Sequence, residues 1–474
     1  MTSPASRALL ITAMLLFGSG IVNAQPRTLT PALARFVSVN APVVALTHAR
    51  VVDGTGAPAR ADQTIIITGS EITAIGSSST QTIPAGAQVV DLTGQTVLPG
   101  QVGLHEHTYF GGVTRLTQMS VSGPLLYLAY GVTTAMTAGS QLPYHELNMK
   151  GAVDAGALPG PHFYITGPYL NSGPPRNGMA RNVSTADDTR RVIDYWASEG
   201  ATWIKFLGNE SRDVLSAGIK AAHARGLKVT GHLCSVTFTE AAALGIDLLQ
   251  HGFITNSDYV AGKKPDVCPS ENMRIQADVD VSSAAVQSSI RSIVASGAAA
   301  VSTLGVYETF MPEHPLETRA LEFLAPDTRV EVEATHADLA KGGFVLPPRL
   351  LPKMMQWERD FVAAGGLLGA GCDPWGTGFL PGIGNLRNYE LLVQAGFAPE
   401  MAVRIMTLNG ARILGIDGRT GSVLVGKAAD MMIVRGDPVA TPGAIYDVVT
   451  VFKDGVGYDS ARLRQAAKGR VGVD

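Results

Sequence analysis

His105-Glu106-His107 closes an apolar run, QVGLHEH. In an extended strand, residues i and i+2 share a face, so both imidazoles point the same way. Two neutral imidazoles on one face make half of a divalent-metal site. An H-x-H pair alone is weak evidence, since many are surface or core histidines. Other apolar runs carry the same residue types at or near their ends. Lys205 lies inside TWIKFL, His232 ends LKVTGH, His251 ends IDLLQH and Asp373 ends GLLGAGCD. A buried, unpaired ammonium is costly, so a lysine within an apolar strand needs a reason. Taken singly, each of the six reads as a satisfied core histidine, a capping aspartate or a snorkelling lysine. Six such residues at the ends of five strands instead suggest one metal centre that activates water. His223 lies in a helix and His162 begins a strand, while His48, His145, His314 and His336 have no comparable context.

The elements that would position these residues alternate. From about residue 99 to 414, short apolar runs (QVGLHEH, VTTAMT, HFYITG, ATWIKFLG, LKVTGHL, IDLLQHG, AAAVSTLG, GLLGAGCD) feed helical stretches. Helices are expected near residues 187–198, 211–225 and 237–244. Alternation of this kind implies parallel strands with crossover helices, and eight units close a (β/α)8 TIM-type barrel. The competing open, doubly wound sheet lacks the G-x-G-x-x-G turn in its first unit. Two long connections, about 253–281 and 305–347, follow the sixth and seventh strands. Both would lie at the C-terminal face, where barrel enzymes keep their active sites. Residues 41–98 and 415–462 are different: short alternating strands broken by Gly, Asp and Ser. They are expected to form one small β-sandwich domain from both chain ends, with the 99–414 barrel inserted into it. The class is therefore α/β.

Composition narrows the function. Charged residues are 16% of the 474, against about 25% in ordinary domains, and apolar residues are 46%. A disordered chain is excluded. The net charge is −3 without a basic block, so no nucleic-acid partner is expected. Residues 1–24 read as a secretory signal: Arg7, an apolar stretch from Ala8 to Phe17, then Val22-Asn23-Ala24 before Gln25. The apolar stretch is about half the ~20 residues a bilayer span requires. Removal of the signal would leave a periplasmic or secreted protein with no stable membrane span. Cys234, Cys268 and Cys372 allow at most one bridge, and Cys234 and Cys372 read as small buried thiols.

At this point the sequence resembles the amidohydrolase superfamily over nearly the whole mature chain. TVLPGQVGLHEH is similar to the first-strand motif, IKFLG to the strand bearing a carboxylated lysine, AAHARGLKVTGH and LLQHG to the next two histidine strands, and GAGCD to the eighth-strand aspartate. MTLNGARILGI followed by GSVLVGKAADMMIV resembles the return to the β-domain. The spacing looks closest to the imidazolonepropionase-like and prolidase-type subgroup. That resemblance implies two divalent ions, zinc being favoured. His105, His107 and Asp373 would hold one ion and His232 and His251 the other. Lys205, as a CO2-derived carbamate, would bridge the pair, and Asp373 would also shuttle a proton. Gly103 departs from the family, which often has an acidic residue two positions before the first motif histidine.

The implied activity is hydrolysis of the C–N amide bond of a small dipeptide or N-acyl amino acid substrate. The same site would also serve a lactonase, esterase or phosphotriesterase. A mononuclear cyclic-amide hydrolase would not need Lys205, and an inactive binding protein would not need all six residues. Substrate contacts are expected from Tyr109, Arg176, Arg181 and Trp375, with Tyr307, Phe310 and Met311 opening the second long loop. An arginine after the third strand could pair with a substrate carboxylate. Association into a homo-oligomer is left open by the sequence.

Overall fold

The computed structural model describes residues 26–111, 116–172, 180–311, 313–342 and 345–474. The expected signal segment, residues 1–24, and Arg176 lie outside the described residues. Eight parallel barrel strands run in chain order: Gln101–Glu106, Val132–Thr137, His162–Tyr164 with Tyr169–Asn171, Trp203–Phe206, Lys228–Gly231, Leu248–Leu249, Ala299–Ser302 and Leu368–Ala370. The first strand pairs with both the second and the eighth, and each later strand pairs with its sequence neighbour. The third strand runs in two pieces. His162–Tyr164 pairs with the second strand and Tyr169–Asn171 with the fourth, which completes the barrel.

Helices start where the sequence supplies a cap. Thr185, Ser211 and Thr237 accept from backbone amides at the heads of Ala186–Glu199, Arg212–Ala224 and Phe238–Ala243. Thr237 and Glu240 form a capping box, which satisfies two otherwise orphaned donors. Phe206 faces this helical layer and lies against Gly218, where any Cβ would collide with its ring. The two long connections carry short helices of their own, including Asn272–Ile275 after the sixth strand and Leu304–Glu308 and Pro326–Ala340 after the seventh.

Tyr109–Gly111 pairs with Leu116–Gln118 in a separate small sheet, and nine other strands form a sheet drawn from both chain ends. Gln95–Pro99 pairs antiparallel with Met431–Arg435, with Val97 opposite Ile433. Val44, Leu46, Ile65, Ile67, Val97, Ile433 and Phe452 share its buried core. Alternating apolar residues in each strand supply that core, which is why neither end forms a comfortable sheet alone. Pro99 passes through Gly100 directly into the first barrel strand, so the two domains share a continuous backbone. His162 sits at this junction, at the barrel end opposite the candidate ligands. Its Nε2 lies 3.0 Å from Asp454, which also pairs with Arg419 at 2.6 Å. Among the described residues, no helix is long and apolar enough to cross a membrane.

The first barrel strand is bulged just before its histidines. Ala135 pairs with Gly103 and Thr137 with Glu106, so three steps on one strand match two on its neighbour. A bulge of this kind re-aims the side chains that follow it. On the other side, Gly371 lets the eighth-strand exit lie against His105, whose backbone and Cβ fill the space of a Cβ at 371. Gly371→Ala should therefore force the two strands apart and cost about 1–3 kcal/mol. Thermal unfolding checks this: the melting temperature should fall by several degrees.

Candidate metal centre and active site

All six candidate ligands line one cavity of about 400 Å³ at the C-terminal mouth of the barrel. Asp373 is at its centre. Its Oδ1 lies 3.2 Å from His107 Nε2 and 3.5 Å from His105 Nε2, and its Oδ2 lies 3.6 Å from His251 Nδ1. The His105 and His251 rings are 4.4 Å apart and those of His232 and His251 4.6 Å. One ligand atom from each of His105, His107 and Asp373 can lie within 4.8 Å of the others, a spacing that fits one ion.

The electrostatics follow from burial. His105 and His251 are held well below the usual imidazole range, chiefly by desolvation. They are therefore neutral at ordinary pH, the form that ligates metal. Burial would raise the Asp373 carboxyl, but His105, His107 and Lys205 outweigh it and hold the group at about 2. Lys205 is 1% exposed, and its Nζ has no hydrogen-bond partner among the described residues. Desolvation pulls that amine down to about 7, against the opposing pull of Asp373 and Glu210.

A surrounding set of polar residues orients the ligands. Gln250 Oε1 accepts from His105 Nδ1 at 2.6 Å, and the Gln250 amide nitrogen donates to Thr230 at 2.7 Å. This fixes the tautomer and leaves His105 Nε2 as the free ligand atom. His251 Nδ1 lies 2.9 Å from the Thr303 hydroxyl. Tyr127 donates to the His107 carbonyl and accepts from the His107 amide. His251 and Asp373 hold left-handed backbone conformations, with φ of 65° and 53°, and Leu233 beside His232 does likewise at 57°. Such conformations disfavour branched and bulky side chains and often mark functional sites.

Gly103 has a physical explanation. A Cβ there would collide with the carboxyl of Glu106, which occupies the space a family-type acidic side chain would take. Glu106 accepts from Asn385 at 2.7 Å and from the Cys372 amide at 3.3 Å, so it braces the turn that carries Asp373. Burial pushes the Glu106 carboxyl up to about 8.

The proposed substrate residues divide. Tyr109 and Trp375 line the cavity, as do Tyr307 and Phe310. Met311 is buried nearby without lining it. Arg181 does not reach the cavity. It is exposed, donates to the Asn182 carbonyl and pairs with Asp188 at 3.1 Å, because a neighbouring helix supplies a nearer carboxylate. Tyr169 lines the cavity and was not singled out by the sequence. Its hydroxyl lies 2.7 Å from that of Tyr109 and 3.3 Å from His107 Nε2. Only Gly139, with φ of 102°, leaves room for its ring. Its signal was faint: a tyrosine just past the break in the third strand.

The cysteines correct one expectation. Cys234 is not a buried thiol but is bonded to Cys268, while Cys372 is free and buried. The bridge ties the turn after His232 to the long connection after the sixth strand, where Met273 lines the cavity. Partners 34 residues apart in sequence become neighbours only when adjacent barrel strands bring their loops together.

The segment 382–457 matches the model of the amidohydrolase family. Among the curated proteins no relative matches the chain. Solved structures share the fold. A putative prolidase from Bifidobacterium longum has a TM-score of 0.64 at 23% identity, covering 90% of this chain and 98% of that one. A Xaa-Pro dipeptidase with bound methionine in its active site gives 0.65 at 18%, covering 88% and 100%. An A. niger ochratoxinase gives 0.63 at 15%, covering 90% and 99%. The family match is confined to that segment, and the solved structures show the fold that the chain shares with them.

Breaking the disulfide should loosen one wall of the cavity. Cys268→Ser is expected to cost about 2–4 kcal/mol of stability. Chemical denaturation of the variant and of the oxidised protein measures this directly.

Proposed function

We propose that the chain is an exported metal-dependent hydrolase that cleaves a C–N amide bond in a dipeptide or N-acyl amino acid type of substrate. The observation that carries this reading is the Lys205 amine. It is buried, has no hydrogen-bond partner among the described residues and faces a cavity of histidines and one carboxylate. A group so placed suits conversion to a carbamate. The neutral amine attacks CO2, an N–C bond forms, a C=O electron pair moves to oxygen and a proton leaves nitrogen. The product is an anionic oxygen ligand of the kind two divalent cations require.

In this reading His105, His107 and Asp373 would hold one ion and His232 and His251 the other, and Lys205, as a carbamate, would supply a further anionic oxygen ligand. Divalent ions, zinc being favoured, polarise a carbonyl and lower the pKa of bound water to near neutrality. The chain's own residues do the rest. Gln250 and Thr303 keep the imidazoles oriented. Asp373 accepts the proton of the attacking water and delivers it to the leaving nitrogen, which departs poorly unless protonated. Tyr109 and Tyr169 present hydroxyls beside His107, where a substrate carbonyl can be aligned.

The names carried by the structures of similar fold, a prolidase, a Xaa-Pro dipeptidase and an ochratoxinase, support an amide or peptide bond. Export is supported by the leader-like residues 1–24 and by the Cys234–Cys268 bridge, which suits an oxidising compartment.

The test is a hydrolysis panel on the zinc-reconstituted protein: dipeptides, N-acyl and N-aroyl amino acids, lactones and a phosphotriester. Asp373→Asn should keep bound metal and lose at least about a hundredfold in kcat. Full turnover in that variant removes the proton-shuttle role. Lys205→Ala should bind less metal by elemental analysis, and unchanged stoichiometry ends the carbamate assignment. Turnover confined to lactones or the phosphotriester overturns the amide bond.

A further inference from the structure

The space around the candidate metal centre has two unequal lobes. The larger, about 400 Å³, has aromatic walls. Tyr307 and Phe310 come from the connection after the seventh strand, Trp375 from the eighth-strand exit, Tyr109 from the short strand Tyr109–Gly111 after the first barrel strand, and Tyr169 from the third. A Cβ at Gly111 would stand 3.2 Å from the Trp375 ring, so glycine there gives that ring its room. The smaller lobe, about 190 Å³, has a different character. Asn209 and Ser270 contribute to it together with the charged Glu271 and Arg274, and the Cys234–Cys268 bridge forms part of its wall. The two lobes share Leu207, His232 and Met273. A candidate metal ligand therefore borders both lobes, as does Met273 from the disulfide-tied segment.

A bond reacting beside His232, which borders both lobes, would send its two substituents into different surroundings. Flat rings on several sides favour a planar aromatic guest, through stacked and edge-to-face contacts beyond simple area burial. Amide and hydroxyl side chains favour a compact polar guest whose hydrogen bonds they can replace. We infer that the site selects amides joining an aromatic group, held in the larger lobe by Phe310 and Trp375, to a compact polar part held in the smaller lobe. Met273 sets how large that polar part can be. The inference deepens the amide-hydrolase reading and rests on it for the reaction, while the occupancy of the lobes can be read from binding alone.

The experiment uses the metal-loaded full chain and two neutral probes of similar size, benzamide and cyclohexanecarboxamide, titrated by calorimetry. Benzamide should bind at least tenfold tighter. Phe310→Ala should weaken benzamide about tenfold and Phe310→Tyr should restore it, with circular dichroism confirming that both variants are folded. Equal affinity for the two probes, or an unchanged benzamide affinity in a folded Phe310→Ala, overturns the aromatic lobe. Turnover is measured separately, on N-benzoyl and N-cyclohexanecarbonyl derivatives of glycine and of glutamine. Met273→Phe should raise KM for the glutamine compounds severalfold more than for the glycine compounds, and an equal change overturns the role of Met273. Benzamide selectivity without amide turnover leaves the lobe standing and removes the hydrolase reading. Equal turnover of benzoyl and cyclohexanecarbonyl compounds does the reverse.

Discussion

A buried lysine amine with no hydrogen-bond partner among the described residues is the constraint around which this barrel is arranged. Lys205 sits on the fourth strand between Ile204 and Phe206, both buried, and its Nζ is unpartnered. Leaving such a group charged in the interior is expensive, and desolvation accordingly draws it toward neutrality. Asp373 and Glu210 pull the other way, so the amine is poised rather than simply neutralised. The neighbouring imidazoles experience the same burial. His105 and His251 are driven neutral, which avoids stacking several positive charges in one cavity. The result is a concentrated set of donors whose charge balance calls for a cation.

Holding those donors together consumes much of the local backbone design. A bulge re-aims the first strand before His105, and left-handed residues carry His251 and Asp373 out of their strands. Such conformations persist only where the surroundings over-determine them. Here the surroundings are specific: Gln250 on His105, Thr303 on His251, Tyr127 on the His107 backbone, and Glu106 with Asn385 behind the Asp373 turn. Each is a buried polar contact whose loss would leave its partner unsatisfied, at a cost of roughly 1–3 kcal/mol. Rigidity at the centre is thus built from many modest terms.

The mouth of the barrel follows another logic. Two long connections, carrying helices of their own, provide its walls. One is tied down covalently through Cys234–Cys268, beside His232. The other brings Tyr307 and Phe310 over the cavity from the helix after the seventh strand. The centre and the walls are therefore separable: strand ends supply the donors, and connections supply the shape a substrate meets.

The chemistry-bearing residues were legible in the sequence because strand ends impose a simple rule. An apolar run that stops at His, His or Asp places that residue at one rim, and eight such runs alternating with capped helices specify a closed parallel barrel. The turn-punctuated strands at both ends similarly announced a shared β-domain, since neither set alone could bury its apolar face. What depended on folding was everything set by contact between distant segments. Cys234 found Cys268 only because adjacent strands bring their loops together. Arg181, read as a substrate contact, was claimed by the nearer Asp188. Tyr169 reached His107 only through the space left by Gly139. Glu106 filled the vacancy at Gly103 only because a bulge turned it there. Residue type and periodicity determine which groups reach the rim. The neighbours that orient them, and the walls that choose their substrate, are decided by three-dimensional packing, because those contacts join residues that no local pattern relates.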